Sequence, residues 1–370
     1  MRRGTIFIFL FIVLAAAIVG ASQFLRAQPP LEITVAVDPL TQAWAQEAVD
    51  ALNATQPTVS ATRRVLFKVT ATDDLDAWAG SGRAWTTSSH PDAWLAASAL
   101  SVQYAQDNGV SVVTLTPSLA RTPLLWGGYA SRVNVATQNG AQPLDWPTIQ
   151  TLAKAERWDA AGGQTDWGFV NLAFAQPNRK IGGVAALLSG AASFYQTPVL
   201  DGRALSQSDF HDWLTPVVQS VPNFTTLGSD PAAAMAGSSS IASIALLPEA
   251  QWLLNLRGLL NNEDVRLNYP AYQFVLDFPL AVWQDSTATD AVDVGEAVKL
   301  LADALAAPTA QGRLTAFGLR SAAAEPTNAD ALFTAAVPYG VLLTPDYGQI
   351  TQIPPRSDTQ GLIQWFSSNQ

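Results

Sequence analysis

The stretch LEITVAVD, Leu31 to Asp38, sets Ile33, Val35 and Val37 on one face, and a period of two predicts a strand. Pro39 and Thr41 then open a helical segment in which Trp44, Ala48, Ala51 and Leu52 share a face. RVLFKVTA repeats the alternation through Val65, Phe67 and Val69, and DLDAWAGSG reads as a short helix closed by glycine. HPDAWLAAS follows, and VSVVTLTPS is a third, β-branched strand ending at Pro117. Asp145 is placed to cap a helix entered through Trp146 and Pro147, with Ile149, Leu152 and Ala153 inside it. ASIALLPEAQWLLNL predicts a buried strand and then a helix after Pro248. YQFVLDFPLAVW is an apolar strand segment interrupted at Pro279, which belongs at an edge, a bulge or a crossing between domains. From about Asp290 to Leu305, the residues Val294, Val298, Leu301 and Leu305 recur at helical spacing. Pro308 restarts a helix through Gln311, Leu314 and Phe317, closed by Gly318. YGVLLT predicts one more strand, and a last apolar helix surrounds Leu362, Trp365 and Phe366. Strands alternating with helices predict an α/β architecture with a largely parallel sheet, and no repeat of fixed period interrupts it.

Ahead of these elements, Arg2 and Arg3 precede the uncharged run TIFIFLFIVLAAAIVGA, Thr5 to Ala21. A bilayer span takes about 20 residues, and Ser22 to Leu25 can extend the run to that length. The arginines predict an N-terminus on the inner side and the remainder outside. Residues 1–27 are therefore read as a transmembrane anchor or a signal segment, with Val19 and Ala21 as the small residues before a cut in the second case. The retained anchor is the expectation taken forward: a single-pass protein of the cell membrane with its bulk on the extracytoplasmic side. Gln28, Pro29 and Pro30 form a short linker.

Composition narrows the possibilities. The chain of 370 residues is long enough for two ordinary domains, and 48% hydrophobic residues can fill their cores. A net charge of −10 and a pI near 4.6 argue against nucleic acid as a partner, since phosphate binding needs a basic face. The absence of cysteine removes disulfides, thiolate metal sites and a cysteine nucleophile, and with only His90 and His211 a histidine-rich metal site is also out.

Few motifs carry chemistry. FAQPNRKIGGVAALLSGAASFY, Phe174 to Tyr195, places Lys180 before its glycine pair, not after it, so it is not a phosphate loop. The helix start could still favour an anion through its free N–H groups; otherwise Gly182, Gly183, Ala185 and Ala186 serve close packing. No Gly-x-Ser-x-Gly elbow is present. Ser89 beside His90 is adjacency without triad geometry, and His211 sits among charged neighbours in SDFHDWL. Glu263 and Asp264 read as an exposed turn; Asp73 and Asp74, between a strand end and a helix start, read first as caps. The twelve tryptophans are scattered, several on apolar helix faces, and fit core packing better than sugar stacking. No calcium-loop spacing appears. No enzyme, cofactor or metal is indicated.

Four stretches, taken in order, resemble a known family: HPDAWLAASAL, with the form Pro-Asp-x-Trp-x-x-x-Ser; SLARTPLLW; AQPNRKIGGVAALL; and NYPAYQFVLDFPLAVW leading to LADALAAPTAQGRLTAFGLR. Together, over roughly Leu31 to Arg320, they are similar to bacterial extracellular solute-binding proteins of the type II periplasmic-binding-protein fold, in the branch associated with von Willebrand A domain proteins. The resemblance implies two α/β lobes joined by two crossing strands, with a ligand between them. Lobe 1 would comprise 31–122 and 278–370 and lobe 2 would comprise 123–277, with SLARTPLLW and VLDFPLAVW as the crossings. Carried over by position, ligand contacts fall at Asp38, Thr72, Asp73, Trp94, Ser98, Thr122, Arg179, Lys180, Glu249 and Tyr269. Asp73 and Asp74 stand where the family has small hydroxyl and glycine residues, and Lys180 with Ile181 replaces a hydroxyl pair. Acids facing bases imply a zwitterionic ligand or an ion pair across the cleft. The expected function is capture of a small polar solute for a membrane permease or a sensor. The alternative is a scaffold module that keeps the fold without a ligand.

Overall fold

The structure is a computed structural model that describes residues 7, 10–15, 29–60, 62–79, 85–86, 89–285 and 288–370. The apolar N-terminal run lies for most of its length outside these residues. Among the described residues, no helix is long and apolar enough to cross a membrane.

Fourteen strands are described: β1 Leu31–Val37, β2 Thr58–Val59, β3 Arg63–Ala71, β4 Ala93–Leu95, β5 Val112–Thr116, β6 Ala120–Tyr129, β7 Leu172–Ala173, β8 Ile244–Pro248, β9 Val265–Asn268, β10 Tyr272–Gln273, β11 Val275–Leu276, β12 Leu280–Trp283, β13 Arg320–Ser321 and β14 Gln349–Ile350. The longer helices are α1 Gln42–Ala54, α2 Ala99–Asp107, α3 Trp146–Ala155, α4 Ile181–Tyr195, α5 Ser208–Gln219, α6 Glu249–Leu260, α7 Ala291–Ala306 and α8 Arg356–Asn369.

The first sheet has the order β2-β3-β1-β4-β12-β5. Its centre is parallel: β1 pairs with β3 from Leu31↔Val65 to Val37↔Ala71, and with β4 from Val35↔Ala93 to Val37↔Leu95. β12 enters antiparallel between β4 and β5, so a strand from far along the chain completes the sheet. The alternation read from LEITVAVD and RVLFKVTA appears as buried Ile33, Val35, Val37, Val65 and Phe67. Trp44 and Val49 of α1 and Val298, Leu301 and Leu305 of α7 are buried in the same core.

The second sheet runs β11-β6-β8-β7, with β9 and β13 also on β6. It departs from the expected largely parallel arrangement: β8, β9, β11 and β13 all pair antiparallel with β6, and only β7 and β8 are parallel. The reason is β6 itself. Its ten residues meet β13 at Arg121, β11 at Thr122 and Pro123, and then β8 and β9, so the returning chain runs back along the strand that carried it out.

The two passages between the sheets lie side by side. Leu119 N–H donates to the Phe278 carbonyl at 3.1 Å, and Phe278 N–H donates to the Ala97 carbonyl at 3.3 Å. Phe278 holds φ 40°, an uncommon conformation for a bulky residue, at the bend between β11 and β12. Pro279 follows it, between strands, where its missing N–H costs no ladder bond.

One further expectation changes. YGVLLT is not a strand. The Leu342 N–H donates to the Tyr269 hydroxyl, while the Leu342 and Leu343 carbonyls accept from Arg320. Buried side chains satisfy this backbone, so no ladder forms. The segment after Arg320 touches elements of both halves of the fold. β14 pairs with β10. On one side of α8, the Tyr104 hydroxyl donates to the Pro354 carbonyl at 2.6 Å, and Arg356 donates to Asn108. On the other side, Trp365 stacks on His211 with centroids 4.4 Å apart, and Phe366 meets Phe174 and Phe224 edge-on.

Candidate functional site: the cavity between the sheets

β1 and β3 are parallel neighbours, so their C-terminal ends emerge together. β1 also starts the reversal of strand order, with β3 on one side and β4 on the other. Ligands of open α/β sheets lie outside the carboxyl ends of strands at such a switch point. Asp38 follows β1. Thr72 follows β3 and fixes the next turn by donating its N–H to the Val37 carbonyl at 2.8 Å, which delivers Asp73 beside Asp38. The facing wall is the start of α4, with Lys180 at the N-cap providing no side-chain cap, and the start of α6. Between them lies a cavity of about 290 Å³. Asp38, Pro39, Leu40, Ala43 and Asp73 line it from one side, and Lys180, Ile181, Gly182, Pro248, Gln251 and Leu254 from the other, with Asp230 and Phe317 at its margin.

The two walls are joined by charge. The Lys180 ammonium donates to Asp73 Oδ1 at 2.5 Å, with the lysine and aspartate side chains 25% and 32% exposed. Asp38 is 5% exposed, and its Oδ1 accepts the Leu40 N–H at 2.9 Å. Burial pushes its carboxyl up to about 7; the Leu40 hydrogen bond works against that rise, and Asp73 adds to it. Asp74 is buried and also raised, first by burial and then by the Asp38 charge. Neither neighbour is the side-chain cap expected from sequence: no side-chain hydrogen bond caps the helix Leu75–Trp78, and Asp74 Oδ2 instead accepts the Ala97 N–H at 2.9 Å. Asp73 makes the ion pair and Asp74 ties two loops of the first sheet.

Of the ten residues carried over by position, Asp38, Asp73 and Lys180 line the cavity. Thr72 shapes it through its backbone. Trp94 is buried within β4, edge-on to Trp85. Ser98 caps α2 by accepting the Leu100 N–H. Thr122 is buried in β6, where its hydroxyl accepts the Ala250 N–H near the start of α6. Arg179 is exposed beside the α4 N-cap.

Glu249 and Tyr269 belong to a separate buried cluster around Arg320. The guanidinium donates to Glu249 at 2.6 and 2.9 Å, to Glu325 at 2.8 Å and to the Leu342 and Leu343 carbonyls, while Tyr269 donates to Glu249 at 2.5 Å. Burial opposes the charge on Arg320, but the Glu249 hydrogen bonds and charge outweigh it and raise the arginine's affinity for its proton. Glu249 and Arg320 side chains are fully inaccessible, and this cluster holds β13 to α6.

Asp230, Gln251, Leu254 and Phe317 complete the cavity without having been singled out from sequence. Asp230 before Pro231 carries a helix-start signal, and its Oδ1 does accept the Ala233 N–H at 3.1 Å; nothing local says that this helix start faces the cavity. A wider groove of about 540 Å³ lies at the opposite end of β1, where His90 stacks on Trp283 at 3.9 Å. No residue carried over by position lines it. Among the described residues, no group of three or more His, Asp or Glu side chains is placed to hold a metal ion.

No protein-family profile matches the chain, and no curated protein matches it in sequence. Solved structures do match. A probable secreted solute-binding lipoprotein from Streptomyces coelicolor is 12% identical, over 93% of this chain and 95% of its own, with a TM-score of 0.51. A maltose-bound protein of T. maritima, MalE3, is 13% identical over 91% and 98%, with a TM-score of 0.52. The bacterial solute receptor AcbH, described as preferring β-D-galactopyranose exclusively, is 11% identical over 92% and 95%, with a TM-score of 0.52. These likenesses show the fold, the two-lobed α/β architecture of solute-binding proteins.

Proposed function

We propose that the chain is an extracytoplasmic solute-binding protein that captures a small polar solute in the cavity between its lobes. The observation that carries this reading is the arrangement of Asp38 and Asp73 at the ends of adjacent parallel strands, facing the uncapped start of α4 across a cavity of about 290 Å³. A concave site with a few convergent polar groups is what solute capture needs, and strands passing side by side between the sheets provide a hinge. On this reading Asp38, Asp73 and Lys180 contact the solute and Thr72 positions the loop. The lobes meet near Thr122 and Phe278, and no covalent chemistry is performed. The run from Thr5 to Ala21 tethers the protein to the membrane, a permease or sensor reads the closed form, and PTAQGRLTAFGLR and VLDFPLAVW support a likeness to the branch that accompanies von Willebrand A modules.

The ion pair from Lys180 to Asp73 supports a second reading, a scaffold whose cleft is closed by its own side chains. Thermal unfolding against a panel of sugars, amino acids, amines and anions separates the two, because a solute that binds only the native state raises the melting temperature. Native mass spectrometry of the purified extracytoplasmic part reads a co-purified solute directly. No shift with any compound and no bound mass would leave the scaffold reading standing.

A further inference from the structure

We propose that the solute is a compact ammonium-bearing molecule, whose cationic head takes the place on Asp73 that the Lys180 side chain now holds, with Asp38 beside it. This rests on the solute-binding reading and names its ligand class. Among the described residues, three carboxyl groups, Asp38, Asp73 and Asp230, line the cavity against one cation, Lys180, so the lining offers a cationic solute more partners than an anionic one. The lysine ammonium, 2.5 Å from Asp73 Oδ1, shows that the cavity accommodates an ammonium group at hydrogen-bond distance. Asp38 supplies a second acceptor. It is more than nine-tenths buried, its Oδ1 is held by Leu40, and its Oδ2 takes no hydrogen bond from any described residue.

Neutral sugars fit less well. Among the described residues, Phe317 is the single aromatic along the lining, while Trp44, Trp78, Trp94, Trp126, Trp146, Trp158 and Trp252 are packed in cores at under 2% exposure. The volume lies at the low end of the range of roughly 300–1,000 Å³ for ligand sites, which points to a small molecule. Lys180 is then a tethered competitor. A partly exposed ion pair contributes at most about 1 kcal/mol, which a free ammonium ligand can displace.

The test is titration calorimetry and thermal unfolding of the native protein and of Lys180→Met and Asp73→Asn. The probes are ethanolamine and 1,4-diaminobutane as ammonium compounds, D-glucose and maltose as neutral sugars, and acetate and phosphate as anions. The amines are expected to bind the native protein and to bind Lys180→Met about fivefold tighter, the factor set by about 1 kcal/mol. Asp73→Asn is expected to weaken amine binding at least about tenfold, the loss for one charge-assisted contact, while unfolding cooperatively. Sugar or anion binding without amine binding overturns the ligand class and leaves the solute-binding reading intact. Weaker amine binding in Lys180→Met makes the lysine a ligand contact and overturns the proposal. No binding by any probe to either lysine form overturns the ligand class and favours the scaffold reading.

Discussion

Two adjacent glycines at the start of α4 face different surroundings, and a single methyl group tells them apart. A Cβ built on Gly183 lies 2.1 Å from the Ala175 carbonyl oxygen, 2.6 Å from Pro177 N and 2.8 Å from the Gln176 carbonyl carbon. All three are backbone atoms, and Cβ contacts below 3.0 Å essentially never occur. Gly183→Ala therefore requires this backbone to withdraw by close to an ångström. It cannot do so freely, because the Gln176 carbonyl accepts both the Arg179 and Lys180 N–H groups. Overpacking of this kind costs about 1–3 kcal/mol, and an obstacle made of backbone belongs at the upper end; the helix propensity of alanine returns up to about 1 kcal/mol. The expected net loss is about 2 kcal/mol. At Gly182 the nearest atoms are Ala175 Cβ at 3.7 Å and Pro248 Cγ at 3.9 Å, ordinary contacts. Gly182→Ala should then be neutral or slightly stabilising. Urea unfolding followed by tryptophan fluorescence reads both, with a lower midpoint for Gly183→Ala at unchanged slope. Equal midpoints for the two variants would refute the argument that Gly183 is required by the backbone of residues 175–177.

Arg320→Met leaves Glu249 buried with only Tyr269 as a donor, and losing one partner of a buried ion pair costs about 3–5 kcal/mol; thermal unfolding should show it, and adding Glu249→Gln should restore part of the loss. Stability should also depend on pH through Asp38. Burial holds its folded-state carboxyl near 7 against an ordinary value of 3.8, so between those values the native state holds more protons than the unfolded chain, and stability falls as pH rises from about 4 to about 7. Asp38→Asn should flatten that slope in urea titrations at successive pH values; Asp73, Asp74 and Lys180, which share its surroundings, remain to set the residual dependence.

The elements that were legible in the sequence owe their shape to local pattern. Alternation in LEITVAVD, the Asp145 cap, whose Oδ1 accepts the Trp146 N–H, and the apolar stripe of α7 all act within a few residues. What stayed hidden depends on partners far along the chain. YGVLLT has strand composition, but Arg320 and Tyr269 occupy its backbone groups. Glu249 follows Pro248 as an acid in a first helical turn should, and nothing nearby reveals an arginine 71 residues later. β4 is three residues long and forms because β1 and β12 flank it. The cavity was partly legible through resemblance: positions carried over with the loops after β1 and β3 and with the start of α4 reached it, while Trp94, Ser98, Thr122 and Glu249 are buried outside its lining. Ion pairing between the Asp73 and Lys180 walls could be named as a possibility from their charges; that the two side chains meet depends on the packing of both sheets.

The same ion pair supports both the binding and the scaffold readings, and magnitude decides how far each extends. Had Asp73 and Lys180 been buried as Glu249 and Arg320 are, parting them would cost several kcal/mol, and a small solute would spend most of its binding energy on opening the cleft. They are instead a quarter to a third exposed, where such a pair is worth about 1 kcal/mol or less. A free energy of that size biases the cleft toward closure without locking it, and a ligand changes the balance only through its differential affinity for the two states. The rigid ties lie elsewhere, in the Arg320 cluster and in the side-by-side passages at Leu119 and Phe278. The ion pair that closes the cavity is thus a weak contact, an arrangement suited to opening around a solute.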